Sequence, residues 1–127
     1  MYRPRFRTLA LAAALGLITP VSGIALPAPV AAAAPYGPDT CKSGYVWREA
    51  IPSDHVCAEP WVRDQVGYDN SQAVARRDPT GPYGSNSCIS GYVWREAFAG
   101  DLVCVEPWMR DQAHFDNSQA ADRVAAN

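Results

Sequence analysis

The sequence predicts a small disulfide-stapled α+β fold, built as two tandem β-β-α repeats behind a signal peptide. Three observations predict it. The heptapeptide GYVWREA stands at residues 44–50 and again, letter for letter, at 91–97. All four cysteines of the 127-residue chain lie in the two copies, at matched positions. The first part of the chain has the composition of a secretory leader and not that of a folded unit.

In that leader, residues 1–7 carry three arginines and no acid, residues 8–19 form an apolar stretch, and small residues and prolines follow to Ala34. These are the positive, apolar and cleavage regions of an export signal. Cleavage is expected between residues 25 and 34, either after Ala25 or within 31–34. The competing reading is an uncleaved membrane anchor, since residues 8–34 hold no charge. Pro20, Pro27 and Pro29 interrupt the segment, and the apolar run before Pro20 is short for a span. The expected organisation is a signal peptide over 1–34, repeat unit 1 over 35–78, a linker over 79–87 and repeat unit 2 over 88–127.

Beyond residue 34 the chain holds 8 basic and 13 acidic residues, a balance near −5 against −2 for the whole. Nucleic acid and anionic membrane surfaces are poor partners for such a product, so no membrane association is expected after cleavage. The expected destination is extracellular.

A shift of 47 residues superposes 41–76 on 88–123 without a gap, and 24 of the 36 positions are identical. This is a tandem duplication. It extends upstream, where PYG at 35–37 recurs at 82–84. The segment RRDPTGPYGSNS between the copies has the Pro, Gly and Ser content of a linker or loop.

An even cysteine count in an exported chain of this size implies disulfides, and four cysteines allow three pairings. Copies that fold independently must each close on themselves, which favours Cys41 with Cys57 and Cys88 with Cys104. A unit of under about 40 residues needs such support, because it buries little apolar surface. Zinc sites use close C-x-x-C or His pairs, and neither spacing is present; nor is there a D-x-D-x-D-G calcium loop. No metal and no cofactor is expected.

Within each copy the aromatic and β-favouring run at residues 45–50 predicts a strand. Its alternation places Tyr45, Trp47 and Glu49 on one face and Val46, Arg48 and Ala50 on the other. IPSD and its counterpart FAGD then turn the chain, and HVCA or LVCV supplies the second strand of a hairpin. A plain hairpin of this register leaves Cys57 far from Cys41, so the segment before Gly44 must fold back. Glu59-Pro60 opens a helix expected to run to Arg77, where Asp78-Pro79 stops it. Glu59 and Arg63, like Glu106 and Arg110, stand four apart in the favourable acid-first order.

Tryptophans at 47, 61, 94 and 108, with Tyr45 and Tyr92, are the candidate binding residues, since Trp and Tyr offer rigid contact area with a polar handle. The competing reading makes them core, above all Trp47 and Trp94, because each unit has few Leu or Ile to fill its interior. The histidines are not shared: His55 aligns with Leu102 and His114 with Gly67. The shared acids Glu49, Asp54, Glu59, Asp64 and Asp69 recur every five residues, a period that gathers them on no single face. Interleaved with arginines 48, 63 and 76, they suit internal ion pairs and a solvated surface. DNSQA at 69–73 and 116–120 is retained whole inside the expected helix and is expected to hydrogen-bond across to the hairpin, with contact to a ligand as the alternative. No catalytic residue is assigned.

The pattern C-x-x-G-Y-V-W-R-E-A, then D-x-V-C, E-P and a downstream D-N resembles a repeat of largely uncharacterised secreted proteins of actinobacteria. Here it is carried by Cys41, residues 44–50, Asp54, Val56, Cys57, Pro60, Arg63, Asp69 and Asn70, and by their counterparts 47 residues later. The resemblance implies export and repetition and transfers no active-site residue.

The leading expectation is a secreted, non-catalytic binding module with two repeat sites for an extracellular protein or glycan, linked for avidity. The alternatives are an extracellular protease inhibitor that presents the two differing turns, and a secreted hydrolase that uses repeated carboxylates.

Overall fold

A computed structural model of the protein describes residues 16–18, 20, 22–27 and 34–125. The chain divides into Met1–Val30 and Ala31–Asn127. The expected leader lies largely outside the described residues. Among the described residues no helix is long and apolar enough to cross a membrane.

The first repeat opens with a single 3-10 turn, Gly37–Asp39, followed by β1 (Val46–Trp47), β2 (Cys57–Ala58) and α1 (Pro60–Ser71). β3 (Arg77–Asp78) and β4 (Ser87–Cys88) flank the join between the repeats. The second repeat supplies β5 (Val93–Trp94), β6 (Cys104–Val105) and α2 (Pro107–Gln119). Among the described residues three small antiparallel sheets result: β1 with β2, β3 with β4, and β5 with β6.

In the first hairpin Trp47 faces Cys57 and Val46 faces Ala58. The ladder is shorter than the expected 45–50. Glu49 interrupts it in the left-handed region at φ 56, as Glu96 does at φ 54, a conformation that non-glycine residues adopt rarely. From there Asp54 organises the turn. Its Oδ2 accepts the Ala50 N–H at 3.0 Å, while Arg48 grips both oxygens, Nε to Oδ2 at 2.8 Å and Nη2 to Oδ1 at 3.0 Å. The expected alternation holds for Arg48 and Ala50, which are both buried, but not for Val46, which is half-buried like Tyr45 and Trp47.

The fold-back ahead of Gly44 is present. The Tyr45 N–H donates to Lys42 O at 3.1 Å across a turn in which Gly44 sits at φ 93, where a side chain would be strained. This reversal returns Cys41 to the hairpin, and Cys41–Cys57 forms with 5.6 Å between Cα atoms. Cys88–Cys104 repeats it at 5.6 Å. Each bridge spans 16 positions, worth about 3 kcal/mol through the entropy of the unfolded chain.

α1 starts with Pro60, where a missing N–H costs nothing, but it ends at Ser71 and not at Arg77. The retained DNSQ stretch is the cause. Asp69 and Asn70 have partners outside the helix, and Arg76 folds back to place Nη1 on Asp69 Oδ1 at 2.7 Å. Arg77 then enters β3. The expected Glu59–Arg63 and Glu106–Arg110 pairs do not form either. Glu59 and Glu106 precede their helices in extended conformation, so the four-residue spacing does not stack them over the arginines. Each accepts the indole N–H two residues on, at 2.8 Å, while Arg63 pairs with Glu49 and Arg110 with Glu96.

The two repeats interlock. β3 of the first repeat pairs with β4 of the second, Arg77 opposite Cys88, and Val124 at the end of the second repeat bridges to Cys41 at the start of the first. One hydrophobic cluster serves both: Ala50, Ala58, Val62 and Val66 from the first repeat with Ala97, Val105, Met109 and Ala113 from the second. The reading of Trp47 and Trp94 as core is overturned, since both are half-buried and outside that cluster. Small side chains suffice because the guanidinium groups of Arg48 and Arg95, each 0% exposed, occupy the rest of the interior.

Those two arginines tie the halves together. Arg48 Nη1 donates to Asn117 Oδ1 at 2.9 Å and to Ala113 O at 3.3 Å, and Nη2 reaches Ala97 O at 3.3 Å. Arg95 Nη1 mirrors this on Asn70 Oδ1 at 2.9 Å. Each asparagine returns its own N–H to its own hairpin, Asn70 to Ala50 O and Asn117 to Ala97 O, at 3.1 and 2.9 Å. The join is also tightly built. A Cβ on Gly81 would lie 2.3 Å from the Ser87 Cβ, and the Ser87 hydroxyl accepts the Tyr83 N–H at 2.9 Å and donates to Gly84 O at 2.8 Å.

Candidate functional site

Two clefts of nearly equal size open on the surface, about 380 Å³ and about 390 Å³. The first is lined chiefly by Tyr36, Tyr45, Trp47, Glu49 and Arg63. The second is lined by Tyr83, Tyr92, Trp94, Glu96 and Arg110, each 47 positions beyond its counterpart. The duplication thus yields the same cleft twice.

The hairpin positions the central tryptophan. Trp47 Nε1 donates to Asp39 O at 2.8 Å and Trp94 Nε1 to Asn86 O at 2.7 Å, so each indole offers the cleft its ring and not its N–H. Tyr36 meets Trp47 edge-on, with centroids 5.7 Å apart at 67°; Tyr83 meets Trp94 at 6.0 Å and 66°. This T-shaped contact fixes two walls at a steep angle.

The third aromatic of each cleft is held by the other repeat. The Arg123 guanidinium lies 4.8 Å from the Tyr45 centroid, and that of Arg76 lies 4.7 Å from Tyr92. Arg76 is itself fixed by Asp69 and donates to Cys104 O at 3.3 Å; Arg123 is fixed by Asp116 at 2.7 Å and donates to Cys57 O at 3.1 Å. Burial acts to lower the pKa of Arg76. The hydrogen bond and charge of Asp69, with smaller contributions from Tyr92 and Tyr68, outweigh it and raise the pKa above the ordinary guanidinium value. The cation behind Tyr92 is therefore permanent.

The polar end of each cleft is an ion pair, Arg63 with Glu49 and Arg110 with Glu96, the latter at 2.6 Å through Nη2 and 3.1 Å through Nε. These side chains are between 36% and 47% exposed. They offer both donors and acceptors to a ligand with little net charge. The clefts differ at their margins. His55 stacks on Trp47 at 4.0 Å and 17°, where the second copy has Leu102, and His114 Nε2 stands 3.8 Å from Glu96, where the first has Gly67.

Of the sequence-predicted binding residues, the structure gathers Tyr45 with Trp47 and Tyr92 with Trp94 in the clefts. Trp61 and Trp108 line neither; they stack on each other across the two repeats, 6.5 Å between centroids. Sequence reasoning missed Tyr36 and Tyr83, although the repeated PYG marked them. It also missed the Glu49–Arg63 pair, which joins a hairpin to a helix and has no local spacing signal.

The five shared acids are parted by the fold. Asp54 and Asp69 are buried on Arg48 and Arg76, Glu49 is on Arg63, Glu59 is on an indole N–H, and Asp64 is exposed. All four cysteines are oxidised. Among the described residues no group of three or more His, Cys, Asp or Glu gathers to hold a metal ion.

No family model, no curated protein and no solved structure matches this chain.

Proposed function

We propose that this protein is a secreted, non-catalytic binding module whose two equivalent clefts each hold a neutral sugar unit of an extracellular glycan. The observation that carries the reading is the repetition of one aromatic cleft, wall for wall, at a fixed offset of 47 residues. Two disulfides suit an oxidising compartment, and the sequence of the first 34 residues suits export.

The ligand class follows from the lining. Aromatic faces accept the C–H faces of a pyranose ring, and the neighbouring carboxylate and guanidinium offer paired partners to vicinal hydroxyls. Because each arginine in the clefts is already neutralised by a glutamate, an anionic ligand finds no free cation there. A polymer that repeats its sugar units can occupy both clefts of one molecule, which raises avidity through effective concentration.

The test is retention on insoluble polysaccharides of several linkages, followed by calorimetric titration with soluble oligosaccharides of those retained. Tyr36 and Tyr83 are 71% and 77% exposed, so Tyr36→Ala with Tyr83→Ala removes one wall of each cleft without touching the core. Retention that falls at least about tenfold in this double variant supports the reading. Retention on none of the polysaccharides, or retention indifferent to both substitutions, overturns it.

A further inference from the structure

Trp61 and Trp108 form a second kind of site, independent of the clefts. Each stands in the first turn of its helix, and the rings lie 6.5 Å apart at 29°. They belong to different repeats, so the pair exists only because the two halves pack together. Both remain 46% exposed, whereas Val62 and Met109, the next residue of each helix, are fully buried.

The chemistry around the pair is one-sided. Glu59 Oε2 accepts the Trp61 Nε1–H and Glu106 Oε2 accepts the Trp108 Nε1–H, both at 2.8 Å. A carboxylate on the indole N–H pushes electron density into the ring and makes its faces more negative, the electrostatics that attract cations. Neither glutamate pairs with a cationic side chain among the described residues. The arginines two residues beyond the tryptophans, Arg63 and Arg110, are committed to Glu49 and Glu96. Two electron-rich rings and two uncompensated carboxylates therefore share one exposed patch.

We infer that the Trp61–Trp108 patch is a docking point for a cationic side chain, arginine or lysine, presented by a partner polypeptide. Charge complementarity selects the cation. Shape selects a side chain over a free ligand: among the described residues neither ring lines the twin clefts or either of two other surface depressions, one around His55 and one around Leu102, and small-molecule sites are concave. An open patch gains affinity when the rest of the partner supplies the remaining contacts, and paired Trp and Arg are frequent anchors of such interfaces.

The experiment follows the indole N–H resonances of the full oxidised protein, one per tryptophan, during titration with a capped glycine-arginine-glycine peptide at about 0.15 M salt. The Trp61 and Trp108 signals are expected to move and saturate together, with those of Trp47 and Trp94 fixed. Glu59→Gln with Glu106→Gln keeps an acceptor for each indole and removes the charge; it is expected to weaken binding about tenfold. Asp64→Asn with Asp111→Asn makes the same change of charge on the same helices, at two exposed positions, and is expected to leave binding within about twofold. Equal loss in both double variants would reveal diffuse attraction to an acidic protein and overturn the site. An unmoved Trp61 and Trp108 overturns it as well. A response to tetramethylammonium as strong as that to the peptide assigns the patch to a free cation and overturns the polypeptide partner.

Discussion

Arg48 and Asn117 stand 69 positions apart in the chain and meet at 2.9 Å inside the protein. The contact joins the hairpin of one repeat to the helix of the other, and Arg95 with Asn70 makes the same contact in the opposite sense, also at 2.9 Å. The repeated heptapeptide therefore has a structural purpose. Its arginine closes its own turn on Asp54 and at the same time locks the neighbouring copy, so each copy needs the other to complete the hydrogen bonds of its buried guanidinium.

The cost of breaking that lock is expected to be large. Arg48→Ala leaves Asp54 buried without its cation and should destabilise by about 3–5 kcal/mol. Asn117→Ala removes the charge-assisted bond from Arg48 and the bond to Ala97 O; the first alone should cost about 1.5–3 kcal/mol. Urea denaturation with the disulfides intact measures both, and the Arg48→Ala/Asn117→Ala cycle should show non-additivity, since the two residues share one contact.

A single repeat should not behave as a folded monomer. Residues 35–78 alone would expose half of the shared cluster and leave Arg48 without Asn117. Oxidised half-chains 35–78 and 79–127 are expected to show little cooperative unfolding when separate and to combine one to one when mixed, as read by sedimentation and far-UV circular dichroism. A monomeric half with a sharp thermal transition would contradict the interlocked fold.

Reduction should begin at one sulfur of each bridge. Cys57 and Cys104 are each 1% exposed, while Cys41 and Cys88 are half-buried and line the two clefts, so a thiolate is expected to attack Cys41 and Cys88. Mass spectrometry of the mixed disulfides trapped with a small thiol should place the adduct on Cys41 and Cys88. Loss of either bridge, by Cys41→Ser with Cys57→Ser for example, should cost about 3 kcal/mol.

The tryptophans should divide into two populations in quenching experiments. Trp61 and Trp108 are 46% exposed, while Trp47 and Trp94 are more deeply buried. Acrylamide should quench a large fraction of the emission of the wild type. Trp61→Leu with Trp108→Leu should remove most of the accessible fraction and leave a residual signal that is quenched less steeply. Iodide should quench less than acrylamide, because Glu59 and Glu106 hold the two exposed rings and repel an anion.

Much of the local structure was legible. Glycine before an aromatic run, a turn rich in Pro, Gly and Asp, and Glu-Pro ahead of a helix are local signals, and each marks its element within a few residues. What remained hidden was set at long range. The end of α1 at Ser71 depends on Asp69 and Asn70 finding partners in β-hairpins and in Arg76, and no helix propensity contains that information. The same holds for Arg48, whose full burial depends on acceptors that the other repeat supplies. In the site, the spacing of Tyr45 and Trp47 was visible on one strand. Tyr36 joins them only after the fold-back at Gly44, and Arg123 supports Tyr45 only because the second repeat returns to the first. Repetition by itself leaves open whether two copies pack together, and the fold makes them two halves of one.

The bridge between Cys41 and Val124, continued by the Ala125 N–H donating to Thr40 O at 2.7 Å, matches the connection that β3 and β4 make around the join at residues 79–86. Topologically the folded chain is a closed ring that happens to be cut at one of two equivalent seams. A circular permutant that links residue 125 to residue 35 by a short loop and opens the chain near Gly84 would carry the repeats in reverse order through the same fold. Which repeat comes first is then an accident of the cut, and either half can lead.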